Sequence, residues 1–151
     1  MNNAEYKWLQ DILYEEDSDK IKREIERIDN SIYLHIFAGN YNLNNGFEIP
    51  KSIINNESCD LGTALMLFYN ADGYRMLEDE KGFTTSNLDK WKVFLTTLYN
   101  KITNKQFKQQ NIAFNPPLTK VQIFKLKKKT PNIPSIFLEH LTGSDVEIPR
   151  L

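Results

Sequence analysis

Three carboxylates, Glu48, Asp60 and Asp72, are the side chains of this sequence best suited to acid–base chemistry. Two carboxyl groups whose surroundings push their proton affinities apart can serve as general acid and general base. Asp72 is the most informative. If the apolar segment Leu61 to Leu77 forms one unbroken helix, Asp72 projects at about 20° from Leu61, into the middle of the apolar face. A carboxylate there needs hydrogen-bond donors or a cation, and Arg75 at i+3 and the loop Asn40 to Asn45 are the nearest suppliers. Losing that acceptor through Asp72→Ala is expected to lower the Tm by several degrees. The alternative is that Gly73 breaks the helix and Asp72 caps a short following one. Both arrangements are structural, and a buried Asp72 with a shifted proton affinity could also serve as a functional acid or base.

The other reactive residue types point to less. His35 and His140 have no second His or Cys at metal-ligand spacing, so neither a metal nor a cofactor is expected. Cys59 precedes the densest apolar segment, and a thiol at a helix N-terminus can become nucleophilic, but a lone cysteine more often packs as a small hydrophobe. No sequence feature brings Cys59, His35 and Asn42 together. None of the six glycines forms a GxGxxG or P-loop pattern. No catalytic residue is assigned. Lys90, Lys101, Lys105 and Lys108 fall within about 60° of one another if the helix behind Ser86 continues through them. With Lys125, Lys127, Lys128 and Lys129 they could form a basic patch able to neutralise phosphates. The patch holds no arginine and no nucleic-acid motif, and the pI is about 6.1, so nucleic acid is not the expected partner and a solvated face is the simpler reading.

These residues belong to a chain of 151 residues with 40% hydrophobic, 12% aromatic and 26% charged side chains, the composition of one globular domain. The longest apolar run, Ala64 to Tyr69, is far below the roughly 18 to 20 residues that cross a bilayer. The first residues lack the basic, apolar and small-residue regions of a signal peptide, and the single cysteine cannot form an internal disulfide, so a cytoplasmic protein is expected. Charge is unevenly placed. Residues 1–89 carry 17 acidic and 8 basic side chains, whereas residues 90–138 carry ten lysines and no acid. The simplest expectation is that the two halves face each other; the other reading is an interaction surface for an anionic partner.

The elements that would position these groups are helical. Tyr6, Leu9, Ile12 and Leu13 share a helical face. Ile21, Ile25, Ile28, Ile32 and Ile36 continue at helical spacing, either as one long helix or as two divided at Asn30-Ser31. Asn40 to Gly46 reads as a loop, and Pro50 as the first turn of a helix through Asn56. Asp60 stands as N-cap of the central helix. Ser86 with Asp89 resembles a capping box ahead of Leu88, Trp91, Leu95, Leu98 and Ile102. Residues 119–129 fit either period and are read as helix, and Pro134 starts a last helix closed by Gly143. The expectation is an all-α fold of six to eight short helices in an irregular or superhelical bundle. It is a single domain over residues 1–151, with a motif core at 32–78 and a basic helical C-terminal part at 86–142.

Asn40-Tyr41-Asn42, Gly46-Phe47-Glu48-Ile49-Pro50, Cys59-Asp60-Leu61-Gly62-Thr63-Ala64-Leu65 and Ala71-Asp72-Gly73-Tyr74 together resemble a bacterial domain-of-unknown-function family. The likeness is strongest over residues 32–78. It implies a small, mostly helical, cytosolic bacterial protein and brings no activity with it. In the family pattern a Trp-Asp-Asp follows the second Asn, where this chain has Leu43-Asn44-Asn45, so two carboxylates become amides. The resemblance points to Asn40, Asn42, Gly46, Glu48, Asp60, Asp72, Gly73 and Tyr74, which with Arg75 are read as a network pinning the loop to both ends of the central helix. A non-enzymatic module that binds another protein, in an immunity-type or accessory role, is the expectation, ahead of a small enzyme using Asp72, Asp60 and Glu48.

Overall fold

The computed structural model describes every residue, Met1–Leu151, and contains nine α-helices, two 3-10 turns and no strand beyond three isolated bridges. The all-α expectation stands, and the helix count exceeds the expected six to eight because segments read as continuous are divided at capped corners.

Short polar side chains set the first boundaries. Helix α1, Asn3–Leu13, starts from a capping box in which Asn2 accepts from the Glu5 N–H at 2.9 Å and Glu5 accepts from the Asn2 N–H at 2.7 Å. Asp17 caps α2, Ser18–Arg27, and Asn30 caps α3, Ser31–Asn40, so the isoleucine stripe belongs to two helices rather than one. Asn42 caps a 3-10 turn at Leu43–Asn45, which Gly46 closes at φ 102°, a conformation that favours glycine. Pro50 lies in the first turn of α4, Glu48–Asn55, where its missing N–H costs nothing.

Helix α5, Leu61–Asn70, is buried continuously from Leu61 to Phe68 and packs against α3 and α8. It does not run on to Leu77. Asp72 takes the left-handed conformation, φ 61° and ψ 39°, and α6, Gly73–Glu78, begins behind it. Gly73 permits this corner: a Cβ there would lie 2.4 Å from the Phe68 ring. Helix α7 follows at Glu80–Thr85 under an Asp79 cap. The expected Ser86–Asp89 capping box is not formed. Helix α8, Asp89–Thr103, begins after Leu88 with no side-chain cap, and Ser86 Oγ instead accepts the Leu88 N–H at 3.2 Å.

Residues 119–129 are helical as read: α9, Lys120–Lys129, starts from a Thr119–Gln122 capping box. The helix expected behind Pro134 is only a 3-10 turn, Ser135–Phe137. The links 104–118 and 138–151 have no regular secondary structure and touch through bridges Ile112–Ser144 and Phe114–Leu141. One cluster of 31 buried apolar residues unites all nine helices except at their outer faces, with Phe37, Phe68 and Phe137 its largest fully enclosed side chains. Phe137 packs on Phe68 and stacks on Tyr99, each at 4.9 Å, which seats the C-terminal third on α5 and α8. No helix is long and apolar enough to cross a membrane.

Candidate functional site

Asp60 is wholly buried at the N-terminus of α5, and its carboxylate is a three-point acceptor. Oδ1 accepts from the N–H of Gly62 at 2.9 Å and of Ile112 at 3.2 Å, and Oδ2 accepts from Asn111 N–H at 2.7 Å. The Leu61 N–H donates to Gln109 O at 2.8 Å, completing a strand-like clasp between residues 109–112 and the start of α5. Gly62 is what lets the clasp close, since a Cβ would sit 2.4 Å from Ile112 O. Beside it the buried His35 ring shares a hydrogen bond with Thr63 Oγ1 at 2.9 Å. Burial pushes its proton affinity down, against a smaller opposing pull from the Asp60 charge. Burial and the neighbouring Asp60 charge push the Cys59 thiol well above its ordinary value, so it stays protonated and unreactive.

The remaining motif residues do not join this cluster. Asn40, at the end of α3, donates from Nδ2 to Ile36 O and to Pro149 O, both at 2.9 Å, and accepts the Leu151 N–H at 3.1 Å. Asn42 caps its own 3-10 turn, accepting the Asn44 N–H at 3.0 Å. Glu48 is exposed and paired with Lys22 from α2. Asp72 is not buried on the apolar face, as an unbroken helix would require. Its side chain is 56% exposed and meets only Arg75 Nε, at 3.3 Å. Tyr74 packs half-buried at the edge of the core. The nine residues therefore divide among separate anchors, and none of the five main surface clefts is lined by more than one of Glu48, Asp60 and Asp72.

The lysines also disperse. Helix α8 ends at Thr103, so Lys105, at φ 56°, and Lys108 leave the face that helical spacing would give them. Lys101 and Lys108 line one cleft together with Phe107, Lys105 lines another, and Lys129 reaches the Glu78 carbonyl at 2.8 Å beside a third. Of the seven ion pairs a single one, between helix neighbours, joins the acidic and basic halves. Six of the seven lie wholly within residues 1–89, and the seventh, Lys92–Asp89, joins neighbours on α8.

Two surface features escaped the reading of the sequence. One is a groove of about 600 Å³ between α4 and α8, with the stacked Phe47 and Phe94 at its floor and Glu48, Lys51, Asp89 and Lys90 at its rim. The other is the outer face of α9. Gln122, Ile123 and Leu126 turn inward, while Val121 and Phe124 are 61% and 66% exposed beside the exposed Lys125 and Lys128. At about 100° per residue those four occupy the arc opposite Leu126. The signal was present in the sequence as apolar residues on two sides of one helix, of which only one side can be buried.

No curated protein and no solved structure is detectably similar to this chain. Residues 29–103, which include Asp60, Asn40 and the α4–α8 groove but not residues 109–112 of the clasp, match the family model of a domain of unknown function, DUF4274.

Proposed function

We propose that this protein is a non-enzymatic interaction module that docks an acidic protein surface on the outer face of α9. The supporting observation is Phe124, two-thirds exposed, with Val121 beside it and Lys125 and Lys128 free of any acidic side chain. A large aromatic side chain is costly to leave in water and is the residue type that anchors protein interfaces. Lysines around such an anchor select an acidic counterpart and speed its arrival. The carboxylates suggest no competing chemistry, because each is engaged in an anchor or an exposed ion pair of its own.

The test is affinity capture of the tagged protein from lysate with and without nuclease, run in parallel with Phe124→Ala and with Lys125→Glu/Lys128→Glu. A protein retained by the parent and lost by both folded variants supports the reading. Retention that ignores both changes overturns it, and recovery that disappears with nuclease would transfer the lysines to nucleic acid.

A further inference from the structure

Residues 145–151 make no hydrogen bond from their own backbone to another backbone group; side chains of α1, of Tyr14 at its C-terminal cap and of α3 hold them instead. Asn40 is the centre of this arrangement. Its amide accepts the Leu151 N–H and donates to Pro149 O, the pair of groups that an extended chain presents on one side at residues i and i+2. The side chain thus replaces the edge of a β-strand. Tyr6 donates its hydroxyl to Arg150 O, and Tyr14 donates to Leu151 O at 3.1 Å.

Shape follows the same register. Leu151 is 5% exposed and fills the slot, whereas Arg150 points to solvent. Ile148 sits where Gly39 lacks a side chain: a Cβ on Gly39 would come within 2.7 Å of Ile148 Cδ1. Pro149 has no N–H, and none is needed at that place. Gly39 and Asn40 lie inside the matched stretch 29–103, while the segment that they hold lies outside it.

We propose that the slot between α1 and α3 is a peptide-recognition site for extended segments of the pattern aliphatic–Pro–X–Leu. It is occupied in cis by residues 148–151 and able to take the same pattern from another chain. Recognition is divided in two. Asn40, Tyr6 and Tyr14 bind main-chain groups and so accept any extended segment, while the Leu151 pocket selects the buried aliphatic position and Gly39 leaves room for Ile148, which stays 37% exposed. The site is independent of the α9 face.

The test uses the full chain and a fluorescein-labelled synthetic peptide of residues 145–151. A tethered occupant competes with an added one, so weakening it by Leu151→Ala should free the slot. Anisotropy is expected to show saturable binding to the Leu151→Ala chain, at least about tenfold tighter than to the parent. Adding Asn40→Ala should weaken that binding by about tenfold or more, because the main-chain groups of the peptide lose their partner. No saturable binding to a Leu151→Ala chain that still melts cooperatively would overturn the proposal, as would binding indifferent to Asn40. Should Leu151→Ala fail to fold, hydrogen exchange on the parent decides. The Leu151 amide exchanging far faster than the α5 amides supports a releasable occupant, and exchange in step with α5 refutes it.

Discussion

At Asp60 both carboxylate oxygens are spent on backbone donors from two segments 50 residues apart in the chain, and no water reaches them. Asp60→Ala would strand the Gly62 and Ile112 N–H groups in the interior and leave the Asn111 N–H unpaired at its edge, and stranded donors cost far more than a made bond contributes. The expected loss is about 3 kcal/mol or more, read as a Tm lower by about 6 to 12 °C for a chain of this size. Asp72 stands at the other extreme. It is exposed, paired only with Arg75, and Asp72→Ala should change stability by no more than about 1 kcal/mol. The several-degree loss that a buried Asp72 would produce is therefore not expected. His35 gives the third prediction at this scale. Burial lowers its proton affinity from the ordinary 6.5, so the folded state prefers the neutral ring. Its contribution is complete above pH 6.5 and is lost as the pH falls through the lower folded value. Urea titrations at pH 7.5 and pH 5 should show the parent losing more stability on acidification than His35→Gln does.

Among the elements, the decisive contacts are places where backbone meets backbone. Gly62→Ala would drive a methyl into Ile112 O and force residues 109–112 off the start of α5. Crowding of this kind costs about 1 to 3 kcal/mol, and a thermal melt should fall by about 2 to 12 °C. Amides of Asn111 and Ile112 should also exchange faster, because their bonds to Asp60 loosen. An unchanged melt would mean that the clasp can shift freely and is not what fastens this segment. The α5–α6 corner follows the same logic: Asp72 turns left-handed, Gly73 passes beneath Phe68, and Trp91 Nε1 donates to Ala71 O at 2.7 Å to hold the turn.

Over the whole molecule the core and the charged surface divide the work. Phe137 bridges Phe68, Tyr99 and the irregular links, so Phe137→Ala should cost about 3 to 5 kcal/mol and be the most damaging single truncation in the C-terminal third. Phe124→Ala, by contrast, removes a side chain that buries little, and its Tm should stay within about 2 °C of the parent. Equal losses for the two, measured by calorimetry, would mean that the α9 face is covered rather than free. Of the ten lysines of residues 90–138 only Lys92 pairs with an acid, its helix neighbour Asp89, and the other nine carry no ion pair onto the acidic half.

By itself the sequence determined the features that depend on near neighbours: the helical class, the caps at Asn30 and Asp60, the loop closed by Gly46 and the division of charge. A cap or a helical stripe is settled within four residues, where types and spacing suffice. Only the tertiary structure decided which face of α9 is buried, where α5 stops, and that Asp60 and Asn40 anchor residues 109–112 and 149–151 rather than each other. Those outcomes rest on contacts between residues 51 to 111 positions apart, and such contacts leave no period in the chain. Asp72 shows the boundary between the two. Its place in the sequence fits either a buried acceptor or a corner residue, and the close passage of Gly73 under Phe68 selects the corner.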